Sequence, residues 1–302
     1  MNILDLFCGM GGLSLGFARE GFTVKGLDAD SHCLATYRHA VGPAEETDLR
    51  VEIPSEPADL LLGGPPCRPW SRLNVQTNRQ EHPDRPLVKS FADTLLAIEP
   101  QSFLMENVPL LEKDSLYEEL LESAGQAEYD CESRTVTYSD FGAATSRRRL
   151  ILFGSRVVTA EKFWDALDSR KAVPETARHA LVRYWHMAER QAPDHEWPKL
   201  KTIGKYREKY RTGKFGWYQL NPDRPAPSFG NINKTYTLHP DSFDGAGPRV
   251  LSVREAMALM GFDDRFAFPK GVPITAKYRM VADTVSPKFS EKCAQVLKDL
   301  MT

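Results

Sequence analysis

The chain reads as an α/β protein, with a largely parallel sheet covered by helices on both faces and a second, smaller domain of less regular structure. Three observations carry that reading. Short apolar runs alternate with stretches of helical periodicity through the first half, as repeated strand–helix units require. Past about residue 156 this alternation gives way to proline-punctuated segments such as Asn221-Pro222-Asp223-Arg224-Pro225-Ala226-Pro227. Finally, 302 residues with 41% hydrophobic and 26% charged side chains suffice for one large domain or two modest ones around a real core.

Residues 2–7 form an apolar run that ends in a glycine-rich turn, and 13–20 read as the helix after it. A second strand over 22–27 closes on acids. A third, over 59–62, runs into Gly63-Gly64-Pro65-Pro66. Residues 91–98 predict a helix, 103–105 a strand, and 115–124 an amphipathic helix with Leu116, Leu120 and Leu121 on one face. Residues 150–153 predict another strand. Helical periodicity returns over 253–260 and 291–301, and a final helix over 288–301 is expected beside the sheet, making the first domain discontinuous. The predicted domains are therefore 1–155 completed by 272–302, and 156–271 between them.

Composition excludes several classes. Apolar stretches such as Ile151-Leu152-Phe153 fall far short of the ~20 residues that cross a bilayer. No basic, apolar leader opens the chain, so a cytoplasmic location is expected. Cys8, Cys33, Cys67, Cys131 and Cys293 are scattered without metal-ligand spacing, which predicts neither a metal site nor a disulfide framework. Formal charge is −2 overall, yet residues 156–249 hold 17 Lys/Arg against 11 Asp/Glu. There Lys199, Lys201, Lys205, Arg207, Lys209, Arg211 and Lys214 are interleaved with Tyr206, Tyr210, Phe215, Trp217 and Tyr218. Such a run is either a solvated face or a nucleic-acid surface.

Three segments carry chemistry. Asp5-Leu6-Phe7-Cys8-Gly9-Met10-Gly11-Gly12 lies at a predicted strand-to-helix junction, where glycines let backbone approach a ligand. A dinucleotide fingerprint would need a third glycine where Ser14 stands. Asp28, 23 residues after Asp5, closes the second strand and can accept hydrogen bonds from ribose hydroxyls. Pro65-Pro66-Cys67 holds a thiol on a rigid turn, although a lone cysteine is more often inert. Glu106 ends another buried run, and Arg147-Arg148-Arg149 precedes the next.

Taken in this order, the segments resemble the DNA cytosine-5 methyltransferases of prokaryotic restriction-modification type. The resemblance runs from residue 5 to about 290 and implies a Rossmann-like S-adenosylmethionine-dependent methyltransferase fold with an irregular target-recognition domain. It implies S-adenosyl-L-methionine as cofactor, held by Asp5, Phe7, Gly9, Gly11, Gly12, Asp28, Asp48 facing the adenine, Pro66 and Asp283. It implies Cys67, Glu106, Arg147 and Arg149 as the catalytic set. Arg249-Val250-Leu251-Ser252-Val253-Arg254-Glu255 through Met260-Gly261-Phe262 resembles the motif that follows the recognition region. Departures are Thr145 for the glutamine of the arginine motif, Ala282-Asp283-Thr284-Val285 for Gly-Asn-x-Val, and Arg68-Pro69-Trp70 after the cysteine.

The chemistry explains the residue types. A thiolate adding to cytosine C6 makes C5 nucleophilic, the role expected of Cys67. Glu106 would bond the N3 and amine edge, and Arg149 and Arg147 the O2 edge or a phosphate. The base must be flipped from the duplex. Residues 68–86 fit a mobile loop over it, with Arg68, Arg72, Arg79 and Arg85 for phosphates and Ser71 beside them. Lys205, Arg211 and Ser228 are expected at DNA from the recognition domain, Ser228-Phe229 standing where the family has Thr-Leu. Double-stranded DNA is the implied partner of a monomer, with a separately encoded restriction endonuclease as its counterpart. Two alternatives stay open. One is a transfer-RNA methyltransferase of the same family, whose Cys-Phe-Thr signature does not occur between 156 and 248. The other is a non-catalytic DNA-binding relative.

Overall fold

The computed structural model describes residues 1–71, 79–200, 203–213, 218–230, 237–243 and 247–301. Its centre is a seven-stranded sheet of β1 (Asn2–Leu6), β2 (Thr23–Asp28), β3 (Ala44–Glu46), β4 (Leu60–Gly63), β5 (Ser102–Asn107), β6 (Asp130–Thr137) and β7 (Arg148–Ser155). The strand order is β3-β2-β1-β4-β5-β7-β6. Pairing is parallel from β3 to β5, whereas β7 runs antiparallel to β5 with Glu106 opposite Ile151. The chain leaves β1 toward one edge and returns through β4 toward the other. This reversal creates a crevice at the carboxyl ends of β1 and β4, the place where open α/β sheets receive ligands.

Helices α1 (Gly12–Arg19), α2 (Ser31–Ala40), α3 (Leu87–Ile98), α4 (Ser115–Gln126) and α5 (Ala160–Asp168) accompany the strands. Every residue of β4 and β5 is buried, as expected of strands covered on both faces. Leu4, Leu6, Leu61, Phe91, Phe103, Met105 and Leu152 belong to one apolar cluster that includes Val88 and Leu95 of α3. The final helix, Pro287–Met301, meets α1 at very close range. A Cβ on Gly16 would lie 2.2 Å from the Glu291 backbone nitrogen, and the Ser290 hydroxyl donates to the Leu13 carbonyl.

Each strand and helix predicted from the sequence is present within a few residues. Among the larger elements, the helices α2, α5 and Ile274–Asp283 and the strands β3 and β6 were not anticipated. Within β6 most side chains are only partly buried, so no apolar run marks it. No helix among the described residues is long and apolar enough to cross a membrane.

Contacts divide the chain into two compact units. The first comprises Met1–Val136, Arg148–Lys171 and the chain from Ser290 on. The second comprises Thr137–Arg147 and Ala172–Phe289. These boundaries differ from borders at 155 and 272: residues 137–147 and 272–289 group with the second unit and 156–171 with the first, while the terminal helix returns to the first as expected. Inside the second unit, Ser252 and Glu255 cap the helix Val253–Met260 reciprocally. Arg249 grips Glu255 with two hydrogen bonds of 2.7 Å and lies over Trp197. Buried Glu255 would titrate high by desolvation, but Arg249 reverses the shift and holds it low.

Candidate active site

Three sharp backbone turns build the first part of the site. After β1 the chain takes positive φ at Phe7 (56°), Gly9 (55°) and Gly11 (89°) before α1 begins at Gly12. Gly11 is required twice, since a Cβ there would also sit 2.6 Å from Val41 and 2.9 Å from Tyr37. Asp28, at the end of β2, fastens this turn. Its Oδ2 accepts the Gly9 amide at 2.9 Å and its Oδ1 the Asp30 amide at 2.8 Å. Burial pushes the Asp28 carboxyl up, against the pull of these amides.

Asp5 lies beneath the turn and is 1% exposed. The Ser14 hydroxyl donates to its Oδ2 at 2.6 Å. Burial pushes the Asp5 carboxyl up to about 7, Ser14 working against the shift and the charge of Asp28 adding to it. Asp48, just past β3, is half exposed and pairs with Arg50. The neighbouring Thr47 amide bonds the Asp28 carbonyl at 3.0 Å.

The second part lies after β4. The Asn107 side-chain amide donates to the Pro65 carbonyl at 2.9 Å, and its own oxygen accepts the Val108 amide at 2.8 Å. Partly buried Pro66 and Cys67 follow, and Cys67 opens a short turn whose Trp70 amide reaches the Cys67 carbonyl at 3.0 Å. Trp70 is itself buried, with Nε1 donating to Asp114 at 2.8 Å. Arg85 grips the other oxygen of Asp114 at 2.6 Å. Desolvation of Asp114 is outweighed by these two donors, which hold its carboxyl below the usual range. The thiol is thus carried on a turn clamped from two sides.

Glu106 completes this part at the end of β5. It is 7% exposed, and Arg149 Nε stands 2.8 Å from its Oε1. The Cys67 loop passes beside the other oxygen, since a Cβ on Gly64 would lie 3.4 Å from Oε2. Arg147 and Arg149 are both buried and the intervening Arg148 is exposed, following the alternation of an extended chain.

The expected residues are therefore distributed as follows. Asp5, Phe7, Gly9, Gly11, Gly12, Asp28, Asp48, Pro66, Cys67, Glu106 and Arg149 all belong to the first unit, around the ends of β1 to β5. Arg147, Lys205, Ser228 and Asp283 belong to the second. Asp283 is exposed at the end of the helix Ile274–Asp283, and Ser228 is exposed beside buried Phe229. Lys205 is exposed, with its ammonium 5.7 Å above the Tyr206 ring. Arg68 is exposed and Ser71 partly buried. Arg72 and the side chains of Arg79 and Arg211 lie outside the described residues, as do Lys201, Lys214, Phe215 and Trp217. Arg85 departs from its expected phosphate role, because Asp114 and Ser115 engage it within the protein. Sequence reading missed Asp114, a helix-capping aspartate by its local pattern, because its tie to Trp70 spans 44 positions.

A glycine turn and strand-end acid on one side of the crevice, with a thiol, carboxylate and guanidinium on the other, define a nucleotide-cofactor-dependent group-transfer enzyme. The profile of the C-5 cytosine-specific DNA methylase family matches residues 1–299, and the chain belongs to that family. It is a DNA cytosine-5 methyltransferase of the S-adenosylmethionine-dependent class. Among curated relatives, the type II methyltransferase M.MthTI of Methanothermobacter thermautotrophicus is 28% identical, the match covering 99% of this chain and 97% of the relative. Type II methyltransferase M.HgiDI of Herpetosiphon aurantiacus is 27% identical over 89% of this chain and 85% of its own. The solved structure of S. pombe Dnmt2 shares the fold with TM-score 0.76 at 17% identity, covering 100% of both chains. Entamoeba histolytica EhMeth does so with TM-score 0.74 at 14% identity, covering 100% of this chain and 99% of its own.

Proposed function

We propose that this chain methylates C5 of a cytosine flipped out of a specific duplex sequence, through transient addition of Cys67 to C6. The observation that carries the reading is the thiol on a clamped turn, one strand away from a buried Glu106–Arg149 pair. Free cysteine is only a few per cent thiolate near neutrality.

The residues fit an adenosine-bearing cofactor. The Gly9 and Asp30 amides meet different Asp28 oxygens, and a carboxylate oxygen can accept a further hydrogen bond, here from a ribose hydroxyl. Phe7 and Asp48 border the same strand ends and would take the adenine, with Gly9, Gly11, Gly12 and Pro66 forming backbone walls. Asp5 acts through the turn, since it is buried against Ser14. Asp283 is the remaining expected cofactor contact. S-adenosylmethionine supplies the methyl group as an electrophile.

Cys67 Sγ forms the bond to C6, and Glu106 hydrogen-bonds the N3 and amine edge as charge moves into the ring. Arg149 holds Glu106 in place and presents its remaining N–H groups to O2, with Arg147 in the same role or at a phosphate. After methylation, loss of the C5 proton to a base expels Cys67 and restores the aromatic ring.

Residues of the second unit would choose the sequence, with Lys205, Arg211 and Ser228 at DNA and Arg68, Ser71 and Arg72 at phosphates beside the thiol. The chain is read as a cytoplasmic monomer that acts on double-stranded DNA beside a separately encoded endonuclease. A duplex with 5-fluorocytosine at the target tests the core of the proposal, since fluorine blocks the final elimination. A cofactor-dependent covalent adduct should appear on denaturing gels and vanish in Cys67→Ala. Its persistence in that variant would sink the mechanism.

A further inference from the structure

One side chain joins the candidate adenine acid to the loop that follows the thiol. Asp48 lies just beyond β3, whose register sets Glu46 opposite Asp28 at the carboxyl end of the sheet. Arg50 donates its amide to Asp48 Oδ1 at 3.0 Å and sets Nη1 3.4 Å from the same atom. Its Nη2 reaches Asp84 Oδ1 at 2.7 Å. The Asp84 side chain is only 8% exposed, with Oδ2 3.8 Å from Arg68 Nη1 and 4.0 Å from His82 Nδ1. Arg68 is the residue after Cys67, and its side chain is 65% exposed.

We propose that Arg50 is a positioning residue that couples cofactor occupancy to DNA binding, through an exchange of ion-pair partners along Asp48, Arg50, Asp84 and Arg68. This deepens the function proposed above and rests on it. One guanidinium is divided between two carboxylates, and one buried carboxylate between two guanidiniums. An adenine amine donating to Asp48 takes over the weaker, 3.4 Å contact of Arg50. Arg50 then turns wholly to Asp84. Asp84, so neutralised, loosens its longer contact, the 3.8 Å one to Arg68. Arg68 is released for a phosphate beside Cys67. The sign of the coupling is therefore positive. By linkage, DNA must tighten cofactor binding by the same factor. Partly exposed ion pairs are individually weak, so the factor is a few-fold rather than several decades.

The test uses the full chain with S-adenosylhomocysteine and a mixed-sequence duplex at one fixed low salt concentration. Fluorescence anisotropy gives duplex affinity with and without saturating S-adenosylhomocysteine, and calorimetry gives the reciprocal measurement. In the wild type the nucleoside should tighten duplex binding about threefold or more. Arg50→Gln and Asp84→Asn should each bring that ratio to about one, and the double variant should change it no further. Arg50→Lys should restore part of the ratio, since it returns the charge without the fork. Should Asp84→Asn fail to fold, Arg50→Gln decides alone, because its side chain is nearly half exposed. A wild-type ratio of one, or a ratio unchanged in Arg50→Gln, overturns the coupling. A wild type that binds neither the nucleoside nor the duplex overturns the underlying function instead.

Discussion

Glu106 and Arg149 present the sharpest residue-scale contrast between a role in stability and one in chemistry. The pair is nearly buried and 2.8 Å apart, so removing one partner strands the other charge in a dry place. Arg149→Met should destabilise the fold by roughly 3–5 kcal/mol, as seen when a buried pair is broken, and urea denaturation against the wild type measures it. Asp28 offers a functional probe at the cofactor side, although it also fastens the glycine turn through the Gly9 amide. Asp28→Ala should weaken S-adenosylmethionine binding by ~1–3 kcal/mol, the cost of a lost charged hydrogen bond. Calorimetry showing wild-type affinity in the folded variant would remove Asp28 from the cofactor site. Both acids were visible in the sequence as strand-terminal residues. Their partners were not, since Arg149 lies 43 positions beyond Glu106 and meets it only because β7 runs antiparallel to β5.

At the scale of elements, the junction of α1 with the terminal helix shows packing overriding propensity. Alanine is the better helix former by ~1 kcal/mol, so Gly16→Ala on an open helix would stabilise. Here the added Cβ would lie 2.2 Å from backbone, and the helices must separate. We expect a net destabilisation of about 1–3 kcal/mol, the usual cost of overpacking, seen as a lowered thermal midpoint. A midpoint at or above the wild-type value would show that the helices can part freely. Strands β1, β4, β5 and β7 and helices α3 and α4 were legible because burial on one or both faces leaves an apolar period. Strand β6 was not, because exposed Asp130 and half-buried Glu132, Ser133 and Arg134 carry no such period.

Across the whole molecule, electrostatics give a pH dependence with a definite sign. Asp5 ordinarily titrates near 3.8 and is raised to about 7 in the fold. The folded chain therefore keeps a proton that the unfolded chain releases, and the stabilisation is complete below about 3.8 and is lost as pH rises through about 7. The shift is worth on the order of 4 kcal/mol. Asp114 and Glu255, held below their usual ranges, act oppositely and lose their contribution as pH falls. Asp5→Asn carries no titrating group, so its thermal midpoint should gain on the wild type as pH rises from about 5 to about 8. Parallel curves would refute the assignment. The second unit supplies a prediction of the same scale: Lys205→Ala should reduce the salt slope of duplex binding by about one, with sequence preference kept. An unchanged slope in filter binding would place Lys205 off the phosphates.

The sequence by itself determined the family, the alternation of strands and helices, and the positions of Cys67, Glu106 and Asp28 at strand ends, because these follow from local periodicity and short motifs. Tertiary structure alone decided which charges meet. Trp70 and Arg85 share Asp114, Arg50 and Arg68 flank Asp84, and Arg149 holds Glu106. It also decided that Asp5 is buried deeply enough to keep its proton near neutrality. Such pairings join residues tens of positions apart, and the burial that sets their strength exists only once the sheet has closed over them.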